Sequence, residues 1–335
     1  MFEKRLSRLQ RKLRALRIDL LVLGARERSD ANVFYYAGDD SYPALFFVTP
    51  SEAKLLSTAS EPLNSSVEFE ALIDGGKQFA AALKQFKPRS VAVDAASDYA
   101  ALLLFRFLKQ GIKPKNFAKE LGELRLFKDA SEQRAIREAQ RLTKHCVSKV
   151  LERGVYGKTE HQVAGLLEAK ARELGAALAA FPPIIVSGER TAIPHAEPSN
   201  KLIRKGDVVL IDVGCKQRGY CSDYSTTIYD GGDERKTDAL EAVKEARTEA
   251  LKKAKPGVKG SALAQIALHV LADYGLEKTS FKKAGLSVGH FVGLEVHEGP
   301  KLERTTLQRG MVFALEPGVY EKKSFGCRFE DVAFL

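Results

Sequence analysis

The stretch LIDVGCKQRGYCSDYSTT (residues 210–227) carries two aspartates eleven positions apart, Asp212 inside the apolar run VVLIDVG and Asp223 downstream of it. A carboxylate in a buried strand is costly unless it is paired or holds a cation. If Gln217 and Arg218 form a hairpin tip, residues facing each other have numbers summing to 435, which sets Asp212 opposite Asp223. Directly opposed residues have Cβ atoms about 5 Å apart. The segment GMVFALEPGVYEKKSFGCRFEDVAFL (310–335) repeats the arrangement, because a hairpin centred on Lys323 sets Glu316 opposite Glu330. Four carboxylates facing one another repel strongly and drive one another toward protonation, so positive charge has to sit among them.

The six histidines divide into two groups. His145, His161 and His269 fall in predicted helices and read as surface or packing residues. His195 (TAIPHAEPS), His290 and His297 (VGHFVGLEVHEGP) lie in loop or strand segments rich in Gly and Pro. Four carboxylates with one imidazole are the ligand set of a two-metal hydrolytic centre, in which ions ~3.5–4 Å apart activate a water. Oxygen-rich ligation with one imidazole suits Mn, Co, Fe or Zn. The four cysteines, Cys146, Cys215, Cys221 and Cys327, form no closely spaced metal-binding pairs and read as reduced thiols.

These residues need strands to carry them and helices to back the strands. Residues 131–153 and 159–174 read as helices, with Ser131 as the first cap, Thr159 and Gln162 as a capping box and Gly175 as a stop. Strand-like segments follow at 183–187, 207–213 and 220–228. The order then repeats, with helices at 235–254 and 261–274, Ser261 as a cap, Gly275 as a stop, and strands at 287–296, 311–320 and 327–335. Two passes of helix, helix, strands predict an α+β domain with pseudo-two-fold symmetry over residues 128–335. Residues 1–127 read as a smaller α/β domain, from the apolar runs DLLVLG, ALFFVTP and SVAVDA separated by polar or helical segments.

A net charge of +10 raises the question of nucleic acid, but the excess is +5 in residues 1–127 and +5 in the remainder, so no domain is a basic patch. The densest basic segment is the first helix, where Arg5, Arg8, Arg11, Lys12, Arg14 and Arg17 alternate with Leu6, Leu9, Leu13 and Leu16, the pattern of a solvated face opposite a packed one. No run reaches the roughly 18–20 apolar residues of a membrane span, and the N-terminus is no signal sequence. The expected location is the cytoplasm, with neither nucleic acid nor membrane as a partner.

Taken together, SGERTAIPHAEPSNKLIRKGDVVLIDVG, GYCSDYSTT, GHFVGLEVHEGP, GMVFALEPGVY and RFEDV resemble, in order and spacing, the pita-bread metallopeptidases, specifically prolidases and Xaa-Pro aminopeptidases. The resemblance covers nearly the whole chain, and NVFYYAG at 32–38 extends it to the family's creatinase-like N-terminal domain. It implies a pita-bread (creatinase/aminopeptidase) catalytic domain at 128–335, and two divalent ions held by Asp212, Asp223, His290, Glu316 and Glu330. Asp212 would chelate one ion, Asp223 and Glu330 would bridge both, and His290 with Glu316 would complete the other site. A hydroxide between the ions would attack the scissile carbonyl, with Glu316 as proton acceptor and shuttle. His195 and His297 would contact substrate and the developing oxyanion, and Arg328 would bind a substrate carboxylate or orient its neighbours. The expected substrate is a proline-containing di- or oligopeptide, cleaved before proline, and the expected assembly is a homodimer.

Two positions depart from the family pattern: Thr226 stands where Arg is common, and Phe291 where Gly often follows the histidine ligand. The PHA motif around His195 and the compact N-terminal domain favour the short microbial prolidases over aminopeptidases acting on longer peptides. Methionine aminopeptidases share the ligands but generally lack the first domain. Creatinases and non-catalytic pita-bread modules usually lack the complete ligand set found here.

Overall fold

The computed structural model describes residues 2–27, 29–58, 63–176 and 178–335. Helix α1 (Phe2–Leu16) buries Leu6, Leu9 and Leu13, the stripe its apolar spacing requires. Leu16 stays 42% exposed. Arg5, expected on the solvated face, is buried with its guanidinium 4.3 Å from the Tyr35 ring centroid, where the aromatic face attracts a cation.

The chain divides into two compact units, Met1–Leu124 and Arg125–Leu335. In the first, β1 (Leu20–Ala25), β2 (Ala44–Val48), β3 (Ala53–Ser57), β4 (Glu68–Ala71), β5 (Val91–Val93) and β6 (Lys115–Asn116) form one sheet in the order β4-β3-β2-β1-β5-β6. The β1–β2 and β2–β3 pairs are antiparallel and the other neighbours parallel. Helices α2 (Ala31–Ala37), α3 (Gly75–Phe86) and α4 (Ala100–Lys109) connect them, and α5 (Ala118–Arg125) follows β6. Val22, Leu45, Phe47 and Leu56 from the sheet meet Phe79, Leu103 and Phe107 from the helices in one apolar core.

The second unit is built twice. The first pass is α6 (Ala130–Glu152), α7 (Glu160–Glu173), β7 (Leu178–Ala179), β8 (Ile184–Ser187), β9 (Val209–Val213), β10 (Cys215–Gln217), β11 (Tyr220–Cys221) and β12 (Tyr224–Ile228). The second is α8 (Glu234–Lys253), α9 (Gly260–Asp273), β13 (Gly289–Phe291), β14 (Val312–Leu315), β15 (Gly318–Glu321), β16 (Phe325–Arg328) and β17 (Asp331–Phe334). Helices α7 and α9 start and end 100 residues apart. Their entry turns also match, with Gly157 N–H donating to Ile203 O at 2.9 Å and Gly257 N–H to Leu307 O at 2.8 Å. The capping box at Thr159 and Gln162 forms as read. The other caps differ: Asp129 with Glu132, not Ser131, caps α6, and Lys259 precedes α9 without a side-chain cap bond, so Ser261 does not cap it. Asp129 wins because its carboxylate reaches two orphan N–H groups and Glu132 returns the bond.

The sheets explain how a carboxylate fits in an apolar strand. Strand β9 lies between β8 and β12, and Val209, Ile211 and Val213 turn toward the helices of the first pass. Alternation then sends Asp212 to the opposite face. In β14, Phe313 and Leu315 pack toward α8 and α9 in the same way. The predicted strand 287–296 is shortened to Gly289–Phe291 and continues as a loop.

The hairpin registers differ in how closely they follow the arithmetic. In the second, Gly318 faces Arg328 and Leu315 faces Asp331, both summing to 646, and Glu316 and Glu330 sit in the gap between these two ladders. In the first, the tip is Arg218-Gly219, both at positive φ (50° and 83°), and Asp212 faces Ser225 rather than Asp223. A two-residue hairpin of this kind wants both central residues left-handed, and Gly219 supplies that freedom where Gln217 does not. The slip is two residues, which preserves the face, so Asp223 remains a diagonal neighbour of Asp212.

Candidate metal centre

Asp212, Asp223 and Glu330 are 6%, 4% and 1% exposed, while Glu316 is partly open. His290, on β13, brings its Nε2 to 3.4 Å from Asp223 Oδ2, 3.5 Å from Glu316 Oε1 and 3.8 Å from Glu330 Oε1. Its Nδ1 lies 3.4 Å from the Phe291 carbonyl. With the proton on Nδ1, Nε2 keeps its lone pair for the carboxylate side, the usual arrangement of a ligating imidazole. Asp223, His290 and Glu330 each offer a ligand atom within 4.8 Å of the others.

The two passes are tied to each other beside these groups. Glu330 N–H donates to Ser225 O at 3.0 Å, and the Thr227 hydroxyl both donates to Arg328 O and accepts from Arg328 N–H. Gln140 on α6 donates to Asp223 O and to Asp331 Oδ1, each at 2.9 Å, and accepts from Asp223 N–H. Arg328 is 1% exposed. Its guanidinium donates to Asp212 Oδ2, to the Tyr320 hydroxyl at 2.7 Å and to Pro194 O, with Nε 4.0 Å from Glu316. These contacts set Arg328 among its neighbours and leave Nε as its one guanidinium nitrogen without a hydrogen-bond partner among the described residues.

The electrostatics express a demand for positive charge. Burial pushes Asp223 up to about 7, with Asp212 and Glu316 adding to the rise and His290 opposing it. Burial likewise raises Glu316 and Glu330, the latter well above the carboxylate range, with neighbouring carboxylates contributing. Burial opposes the charged form of His290, yet Asp223 and Glu316 outweigh it and lift the imidazole to about 9. Asp212 Oδ1, Asp223 Oδ1 and Glu330 Oε1 are buried without a hydrogen-bond donor among the described residues. Buried anionic oxygens without donors are expensive, and divalent cations satisfy them directly. The residues present therefore fit divalent ions.

Around this cluster the remaining predicted residues fall into place unevenly. The His297 ring lies tilted against His290 with centroids 4.0 Å apart, and burial followed by the charges of His290 and His195 lowers it to about 4. His195 is exposed, on the loop that follows the 3-10 turn Gly188–Ala192. Phe291 turns away into the core against Phe313. The four cysteines are buried, and burial pushes Cys146 and Cys221 up to about 12, so they stay protonated thiols. Gln140, Thr227 and Tyr320 escaped the sequence reading, since nothing local marks a residue whose partners lie far away in the chain.

Residues 134–334 match the family described as metallopeptidase family M24. The chain belongs to that family. The Xaa-Pro dipeptidase of Pyrococcus horikoshii is 33% identical over 318 residues, covering 91% of this chain and 87% of that protein. The crystal structure of the prolidase from Pyrococcus horikoshii superposes with a TM-score of 0.88 at 29% identity, covering 99% of this chain and 95% of the other. That of the X-Pro aminopeptidase from Thermotoga maritima gives 0.85 at 28% identity, covering 98% and 93%. The fold is thus prolidase-like, a small N-terminal α/β domain followed by a C-terminal pita-bread domain. This M24 metallopeptidase is related to both Xaa-Pro dipeptidases and aminopeptidases. Membership implies peptide substrates and divalent ions. No helix among the described residues is long and apolar enough to cross a membrane.

Proposed function

We propose that this M24 metallopeptidase hydrolyses the bond preceding proline, most readily in Xaa-Pro dipeptides, with Asp212, Asp223, His290, Glu316 and Glu330 holding two divalent ions. The observation that carries the reading is the convergence of Asp223, His290 and Glu330 from three separate strand regions on one point, beside carboxylate oxygens that have no donor. When bound, the ions, with Mn or Co suited to this ligand set, would supply Lewis acidity and a water acidified toward neutral pH.

The chain's own groups divide the remaining work. Glu316 is the most open carboxylate of the set and is raised by burial, which suits it to take a proton and return it to the leaving nitrogen. His297, neutral at working pH, and the exposed His195 are the groups available to meet the substrate carbonyl and its developing charge. Arg328 holds Asp212 in place. Proline's imide nitrogen carries no hydrogen, so binding by strand pairing loses a donor there and side chains must do the recognition. The likeness to an aminopeptidase structure supports a second reading, cleavage of longer peptides beginning Xaa-Pro.

The test is the protein loaded with Mn or Co and given Ala-Pro, Ala-Pro-Ala and Met-Ala-Ala. Cleavage of Ala-Pro alone upholds the dipeptidase. Efficient cleavage of Ala-Pro-Ala moves the assignment to aminopeptidase, and inactivity on all three with ions bound sinks both.

A further inference from the structure

His195 is exposed on a loop, and a loop side chain is placed only as well as its loop is anchored. That loop closes on a single buried carboxylate. Glu160, the first residue of α7, is 0% exposed. Its Oε1 accepts from Ser187 N–H at 2.8 Å and from the Ser187 hydroxyl at 3.0 Å. Its Oε2 accepts from Ser199 N–H at 3.0 Å, the Ser199 hydroxyl at 2.7 Å and Arg190 Nε at 3.0 Å. The two ends of the segment 187–199 are thus drawn to one group. Arg190 closes it again by donating to Glu197 O at 2.5 Å.

The middle of the loop is tied to the metal-centre hairpin. Gly326 N–H donates to the Thr191 hydroxyl at 2.8 Å, and Arg328 donates to Pro194 O, the residue before His195. Chemistry explains why the anchor is a glutamate. A carboxylate offers about four acceptor sites and no donor, whereas Gln would aim an NH2 at a ring of donors. The repeat shows that the helix itself does not need it. The equivalent position 100 residues on, the first residue of α9, is Gly260, where a Cβ would lie 2.1 Å from Leu302 O. The carboxylate occurs only in the pass whose loop carries His195.

We infer that Glu160 is a positioning residue that fixes His195 for substrate by closing the 187–199 loop; this rests on the assignment of His195 to substrate. The probe is Glu160→Gln, alone and combined with His195→Ala, in the Mn-loaded enzyme with Ala-Pro as substrate and amide hydrogen exchange as a second readout. Exchange at 187–199 is expected to accelerate by about 10-fold or more, as local opening becomes easier. The value of kcat/KM is expected to fall about 10- to 100-fold, the scale of a small misplacement of a reacting group. Bound Mn stays at the wild-type level, and the double variant is no worse than His195→Ala, since both changes remove the same contribution.

Unchanged kcat/KM, or losses that multiply in the double variant, would overturn the inference. Should Glu160→Gln not fold, Ser199→Ala removes one donor only. It is expected to give a smaller loss that His195→Ala also masks, and multiplying losses again refute it. If the wild-type enzyme cleaves no peptide, the functional reading fails by itself. Faster exchange at 187–199 in Glu160→Gln then still upholds the anchor, and unchanged exchange overturns it.

Discussion

Replacing Glu298 with Gln should cost the second unit a large share of its stability. Glu298 follows His297, and its side chain is 3% exposed between Arg125 Nη2 at 2.6 Å and Lys128 Nζ at 2.7 Å, themselves 4% and 1% exposed. In the variant Arg125 keeps Glu295 at 2.5 Å, but Lys128 retains no carboxylate among the described residues, only the uncharged glutamine oxygen and the Leu126 carbonyl at 3.4 Å. Stranding a buried charge by removing one partner costs about 3–5 kcal/mol. Adding Lys128→Met removes the stranded cation and is expected to recover most of that loss, because no buried charge is then left without a counter-charge, Arg125 keeping Glu295.

The pH dependence supplies a second check. Burial pushes the Glu298 carboxyl up, but Arg125 and Lys128 outweigh it and hold it below the ordinary range. Its folded value therefore lies below its unfolded value of about 4.3, so the stabilisation is present in full above that pH and is lost as the pH falls through the folded value. Urea unfolding at pH 7 and again below pH 4 should show a large wild-type advantage that shrinks in acid. A variant within about 1 kcal/mol of wild type at pH 7, or a double variant no better than Glu298→Gln, would refute the reasoning.

Asp223→Asn is expected to abolish peptidase activity and lower divalent-ion occupancy, measured by elemental analysis after dialysis; full activity refutes its assignment as a ligand. Gln140→Met keeps the volume but drops the bonds to the Asp223 backbone and to Asp331. A chelator competition should show ion binding weakened about 10- to 100-fold, the usual scale for groups that orient ligands. Gly326→Ala would put a Cβ 2.3 Å from the Thr191 carbonyl. Backbone must shift to admit it, so thermal unfolding should register a loss of about 1–3 kcal/mol.

Much of the site was legible because its signals are local. A charged residue after VVLI or VFAL announces a face that does not meet oil, and strand alternation fixes which face that is. The second hairpin's register followed from its centre alone, and Glu316 and Glu330 lie where that register sets them. The first register missed by two residues because Gly219, not Gln217, belongs at a tip with two left-handed residues. The cap at Asp129 was missed for a similar reason, since several polar residues there compete and geometry selects the one reaching two orphan amides.

Sequence by itself determined the residue types of the donor set, the faces they occupy and the twofold order of helices and strands, all set by periodicities of two and 3.6. Only the tertiary structure decided who stands beside whom across the two passes. Nothing in the chain near Arg328 says that its guanidinium serves Asp212, 116 residues away, and nothing near Glu160 says that it gathers Ser187 and Ser199. Such partners are chosen by desolvation. Once the core forms, each buried polar group must find the donor or acceptor that packing leaves within about 3 Å, and that neighbour is a property of the fold.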